Sequence, residues 1–164
     1  MTGFSEQWLA EHQAKMAALK AQTLPPMPDV ISFSIDYLTQ LPNVAKRGHI
    51  IWSGVAESKK LFKLMEPHLS PYAGRGPMQR AHLKIVRFSV GPKRPDHDNL
   101  VAAHKRLSDL LLVRSAAQIC AGKETFGIIV DDSDAHLTRD ISSVRVPTRL
   151  EQRTEITITA LPPV

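Results

Sequence analysis

Leu83-Lys84-Ile85-Val86-Arg87-Phe88-Ser89-Val90-Gly91-Pro92-Lys93-Arg94-Pro95-Asp96-His97-Asp98-Asn99-Leu100 is the stretch on which the fold turns. From Leu83 to Val90 it is a β-branched and apolar run of strand length. Gly91-Pro92 and Pro95 end that run, because proline supplies no ladder donor and glycine punctuates. Asp98 then stands where a helix begins, and the pattern predicts a helix from about Asp98 to Arg114. A strand handing over to a helix through a Pro-containing turn is the start of a layered α/β arrangement.

Working outward, Ile31, Phe33, Ile35 and Tyr37 alternate with small or polar residues and read as a strand. Residues 41–49 carry Pro, Asn and Gly and read as a loop that leads through Trp52 into a helix over residues 54–68. That helix sets Val55, Leu61, Phe62 and Met65 against Lys59, Lys60 and Lys63. Residues 70–78 read as an exposed loop, and residues 115–125 as a helical extension with a turn at Gly122. Three further strands are expected, over residues 126–130, 141–146 and 154–161. Residues 5–22 form an amphipathic helical pattern with Trp8, Leu9, Met16 and Leu19 near one side, suited to packing on the domain or to a dimer contact. A proline-rich run, Leu24-Pro25-Pro26-Met27-Pro28, follows it. The expected fold is α+β: a single domain with a mixed sheet flanked by two or three helices over residues 31–164, preceded by an extension over residues 1–30.

Composition narrows the function. The chain has 164 residues, 43% of them hydrophobic, enough for one domain with its own core. Its net charge of +5 favours a polyanionic partner. Cys120 is the single cysteine, which excludes an intramolecular disulfide, a Cys-x-x-Cys zinc site and, lacking any motif around it, a cysteine nucleophile. No apolar run approaches the roughly 18 residues of a membrane span, and no secretory leader is evident, so a cytoplasmic protein is expected.

Two acidic motifs carry chemistry. Asp96-x-Asp98 lies at a strand-to-helix turn, and Asp131-Asp132 follows the apolar residues 126–130. Carboxylates at element ends can converge over one sheet edge and hold a hard divalent cation through oxygen. Magnesium there would polarise a phosphoryl oxygen and supply hydroxide at neutral pH. Each motif also has a plain structural reading, Asp98 as a helix N-cap and Asp131-Asp132-Ser133-Asp134 as a solvated turn. Lys105 shares a helix face with Asp98 two turns back and with Asp109 one turn on. His49, His82, His97, His104 and His136 show no ligand-like spacing.

Asp96-His97-Asp98-Asn99-Leu100, Lys105-x-x-x-Asp109-x-Leu111 and Gly127-Ile128-Ile129-Val130-Asp131-Asp132-Ser133 together resemble the RusA family of Holliday-junction resolvases. Leu41-Pro42-Asn43 with Trp52, and residues 155–161, add to the resemblance, which spans residues 31–161. It implies a homodimer that binds a four-way DNA junction and makes paired nicks with Mg2+. On matching positions it implies Asp96, Asp98 and Asp132 as metal ligands and catalytic residues, and Lys105 as the catalytic lysine. One departure concerns that lysine: in the family it follows the second aspartate by one helical turn, where this chain has Ala102. Lys46, Arg47, Lys59, Lys60, Lys63, Lys93 and Arg94 are the expected DNA-backbone contacts. The competing readings are a RusA-like protein that binds branched DNA without cleaving it, and a nuclease selective for flaps or forks.

Overall fold

A computed structural model describes residues 24–41, 50–91, 95–115, 118 and 120–162. Its elements are β1 (Val30–Ile35), α1 (Ile50–Leu69), β2 (Ala81–Ser89), α2 (His97–Leu111), β3 (Leu137–Arg145) and β4 (Arg153–Ala160). Short 3-10 turns occupy Ser70–Tyr72 and Arg149–Glu151. The four strands form one mixed sheet in the order β1-β4-β2-β3. β4 pairs antiparallel with both β1 and β2, whereas β2 and β3 run parallel. A parallel pair needs a long crossover, and here α2 and the chain after it provide that connection. The α+β class and the mixed sheet with two helices agree with the sequence pattern.

Alternation sends one side of every strand inward. Ile31, Phe33 and Ile35 of β1, Ala81, Leu83 and Ile85 of β2, Leu137 and Ile141 of β3, and Ile156 and Ile158 of β4 are buried on one face. The helices cover that face, with α1 packed against β1, α2 against β3, and the two helices touching. Leu61, Met65 and Leu69 recur every fourth residue along α1 and are fully buried, which is why this segment is a helix packed on its own domain. Lys59, Lys60 and Lys63 lie exposed on the other side. Val55, expected with the apolar stripe, is 54% exposed. It falls outside the four-residue repeat that buries the others. In α2, Leu100, Leu107 and Leu111 form the matching inward stripe.

Several boundaries differ from the sequence pattern. α1 starts four residues before the expected position, and Pro67 lies inside it near the last turn. α2 starts one residue earlier than expected, because Asp96 rather than Asp98 is the N-cap. β3 begins at Leu137, since parallel pairing with β2 carries it back to Ala81.

Residues 126–130 are not a strand of the sheet. Gly127 takes a positive φ of 66° and breaks the extended run, leaving isolated parallel bridges from Ile129 to Met78 and to Leu112. This segment instead finishes α2. A helix leaves its last carbonyls without internal donors. Here the Phe126 amide donates to the Leu110 carbonyl at 2.8 Å, and the Ile128 and Ile129 amides donate to the Leu111 carbonyl at 2.8 and 3.0 Å. Ile128 and Ile129 are fully buried as a result. The helical pattern over residues 5–22 lies outside the described residues, as do Lys46, Arg47, Lys93 and Arg94.

Candidate functional site

Asp96 opens α2 in extended conformation. Its Oδ1 accepts from the Asn99 amide at 2.9 Å, and its Oδ2 accepts from the Asn99 side-chain Nδ2 at 2.8 Å. Both oxygens are thus oriented by one residue, which fixes the carboxylate while leaving each oxygen a further lone pair. Asp98 sits in the first turn, exposed, where a negative charge complements the positive end of the helix dipole. The local sequence therefore builds one held carboxylate and one free one on a single turn.

Asp131 and Asp132 follow the segment that caps the other end of α2. Asp131 is exposed, and the Asp132 amide, the Ser133 hydroxyl and the Ser133 amide hold its carboxyl below the usual carboxylate range. Its oxygens serve the turn. Asp132 is half-exposed, with Oδ2 3.8 Å from Arg139 Nη2 on β3, and its carbonyl accepts from the same nitrogen at 3.2 Å.

Asp96 and Asp98 start α2, whereas Ile129, three residues before Asp132, is tied to Leu111 at its far end. At 1.5 Å per residue those ends are about 20 Å apart along the axis. Among the described residues, no three His, Cys, Asp or Glu side chains are grouped so that they could hold a metal ion. The donor type suits a hard cation, but Asp96, Asp98 and Asp132 do not form a ligand set for it in this arrangement. Lys105 is exposed, and its ammonium lies 3.3 Å from Asp109 Oδ1. It is therefore turned toward the C-terminal end of α2, away from Asp98. Ala102 is exposed one turn after Asp98.

Lys59, Lys60 and Lys63 present three ammonium groups on the open side of α1. None forms an ion pair with a described carboxylate. Lys60 Nζ rests 4.2 Å over the Tyr37 ring, which orders its stem.

A buried polar seam between α1, α2 and the sheet was not among the sequence-derived candidates. Glu57 of α1 is nearly buried and accepts from Arg106 Nη1 at 2.7 Å, the Gln40 amide at 3.0 Å and the Tyr37 hydroxyl at 3.4 Å. Gly54 makes room for this pair, since a Cβ there would come within 2.6 Å of Arg106 Nη2. Arg87 of β2 is buried and donates from Nη1 to the Thr39 carbonyl at 2.6 Å. His104 of α2 is fully buried, with Nδ1 2.8 Å from the Leu100 carbonyl. The signal for Arg87 was present: it continues the inward alternation of Leu83 and Ile85. Glu57 likewise precedes Leu61 by four residues, on the apolar side of α1.

The chain matches no protein-family model, and no curated protein matches it. No helix among the described residues is long and apolar enough to cross a membrane.

Proposed function

We propose that this chain is a magnesium-dependent, structure-selective endodeoxyribonuclease of the RusA type, which binds four-way DNA junctions as a homodimer and introduces paired nicks. The observation that carries the reading is the first turn of α2. Asp96 is held by both nitrogens of Asn99, and Asp98 is left exposed beside it, in a chain of net charge +5. Two carboxylates on one turn are costly to keep so close unless a cation or a helix dipole offsets them. Exposed lysines on α1 supply a surface for phosphate, which favours recognition by backbone geometry over base identity. The three aspartates are not grouped among the described residues. Magnesium is proposed from the donor chemistry of Asp96, Asp98 and Asp132 alone.

The test is nicking of a synthetic four-way junction with magnesium and with chelator, run beside flap, fork and linear duplex substrates. Asp98→Asn is expected to abolish nicking and to leave junction binding intact. A variant that cuts at the parental rate would overturn the assignment.

A second reading has its own support. Lys105 is occupied by Asp109, and the position one turn after Asp98 is an alanine. A protein that binds branched DNA without cutting it fits those two facts. It is distinguished by junction binding with no magnesium-dependent product.

A further inference from the structure

We infer that His104, Arg87 and Glu57 form an acid-sensitive latch in the seam between α1, α2 and the sheet, one that holds α2 in place only while the His104 ring is neutral. The His104 ring has no exposure to solvent. Because a carbonyl can only accept, Nδ1 carries the proton that is donated to the Leu100 carbonyl. Nε2 is buried and has no hydrogen-bond partner. In the neutral ring Nε2 is a bare lone pair. Protonation turns it into a charged donor with nothing to receive it, which is the costly case for a buried polar group.

The surroundings offer that charge too little relief to offset burial. On β2 the Arg87 guanidinium, itself buried, with one hydrogen bond to Thr39 and an unpartnered Nε, disfavours a second positive charge in the seam. On α1 the Glu57 carboxylate favours the charged ring, but its oxygens are already taken by Arg106, Tyr37 and Gln40. Arg106, two residues beyond His104 on α2, is paired with Glu57. Thr39 Oγ1, also buried, has no partner in the same seam. Burial is the leading cause that depresses the His104 pKa, with Arg87 acting in the same direction, while the Leu100 carbonyl and Glu57 oppose them.

The sign follows from that depression. A ring that stays neutral when packed but titrates at about 6.5 when released binds more protons in the opened form. The contribution of His104 to packing is therefore complete above the ordinary histidine range and is lost as pH falls below it. As pH falls through the ordinary histidine range the opened population rises, to a limit set by how far burial depresses the packed ring. Since α2 carries Asp96 and Asp98, acid would withdraw those carboxylates from their place whatever they bind.

The experiment is amide hydrogen exchange across α2 between pH 8 and pH 5, corrected for intrinsic exchange rates, on the full chain and on His104→Gln. The parental α2 amides should open several-fold (about 3-fold or more) more often at pH 5 than at pH 8, and the variant should change by less than about 2-fold. A parallel rise in both proteins would overturn the proposal. NMR of the parental His104 ring supplies a test that needs no variant. Neutral-imidazole signals should persist as long as α2 remains protected. An imidazolium signal in a protein whose α2 amides are still protected would equally overturn it.

Discussion

Replacing Glu57 by alanine should be among the most damaging single changes outside the apolar core. Its carboxylate side chain is 6% exposed and accepts three hydrogen bonds, from α2, from the chain leaving β1 and from the Tyr37 hydroxyl. Removal leaves the Gln40 amide and the Tyr37 hydroxyl without an acceptor, each at about 1 kcal/mol or somewhat more when partly buried. The Arg106 contribution must be discounted, because that side chain is 40% exposed and regains water once freed. The expected loss is about 2–4 kcal/mol, or a fall in Tm of roughly 5–15 °C for a domain of this size. Urea unfolding should show a lower midpoint at unchanged slope. A double-mutant cycle with Arg106→Ala should return a coupling of about 1 kcal/mol, the mark of two groups in direct contact. A loss below about 0.5 kcal/mol, or a coupling indistinguishable from zero, would show that Glu57 is solvated and that the seam is not a joint.

Asp96 offers a way to separate capping from chemistry. Asp96→Asn keeps an N-cap oxygen and should unfold within a few tenths of a kcal/mol of the parent, whereas Asp96→Ala should cost about 1 kcal/mol. Junction nicking should be lost in both, and an asparagine variant that still nicks would remove Asp96 from the proposed chemistry. Replacing Lys59, Lys60 and Lys63 together by glutamine should lower the magnitude of the salt slope of junction binding by up to about 3, one for each phosphate that an ammonium no longer neutralises. An unchanged slope would place the DNA elsewhere.

The fold was readable where one periodicity ruled. β1, β2 and β4 alternate strictly, and the sheet uses each alternation with one face buried. Residues 126–130 misled because a short apolar run carries no period of its own, and Gly127 could place it in a sheet or against a helix end. Val55 misled because an apolar residue near the start of a helix need not share the stripe that packs. At the site, the aspartates were visible as residue types, yet their separation by the length of α2 depends on where the connection after the helix leads, which no local pattern encodes. Arg87 and His104 were legible in principle, as polar residues at positions whose spacing points inward, and the partner of Arg87 was not, because Thr39 arrives from another part of the chain.

Leu112 and Ile129 stand side by side, so the chain between them is a closed excursion that ends where it began. Polymer statistics make such an excursion tolerant of growth: doubling its length costs only about 0.6 kcal/mol of closure entropy. The anchoring amides at Ile128 and Ile129 belong to the returning end and do not depend on what precedes them. The exposed residues 120–124 are accordingly where the chain can accept inserted sequence, a fluorophore or an affinity handle, without disturbing the helix end that Phe126 and Ile128 cap.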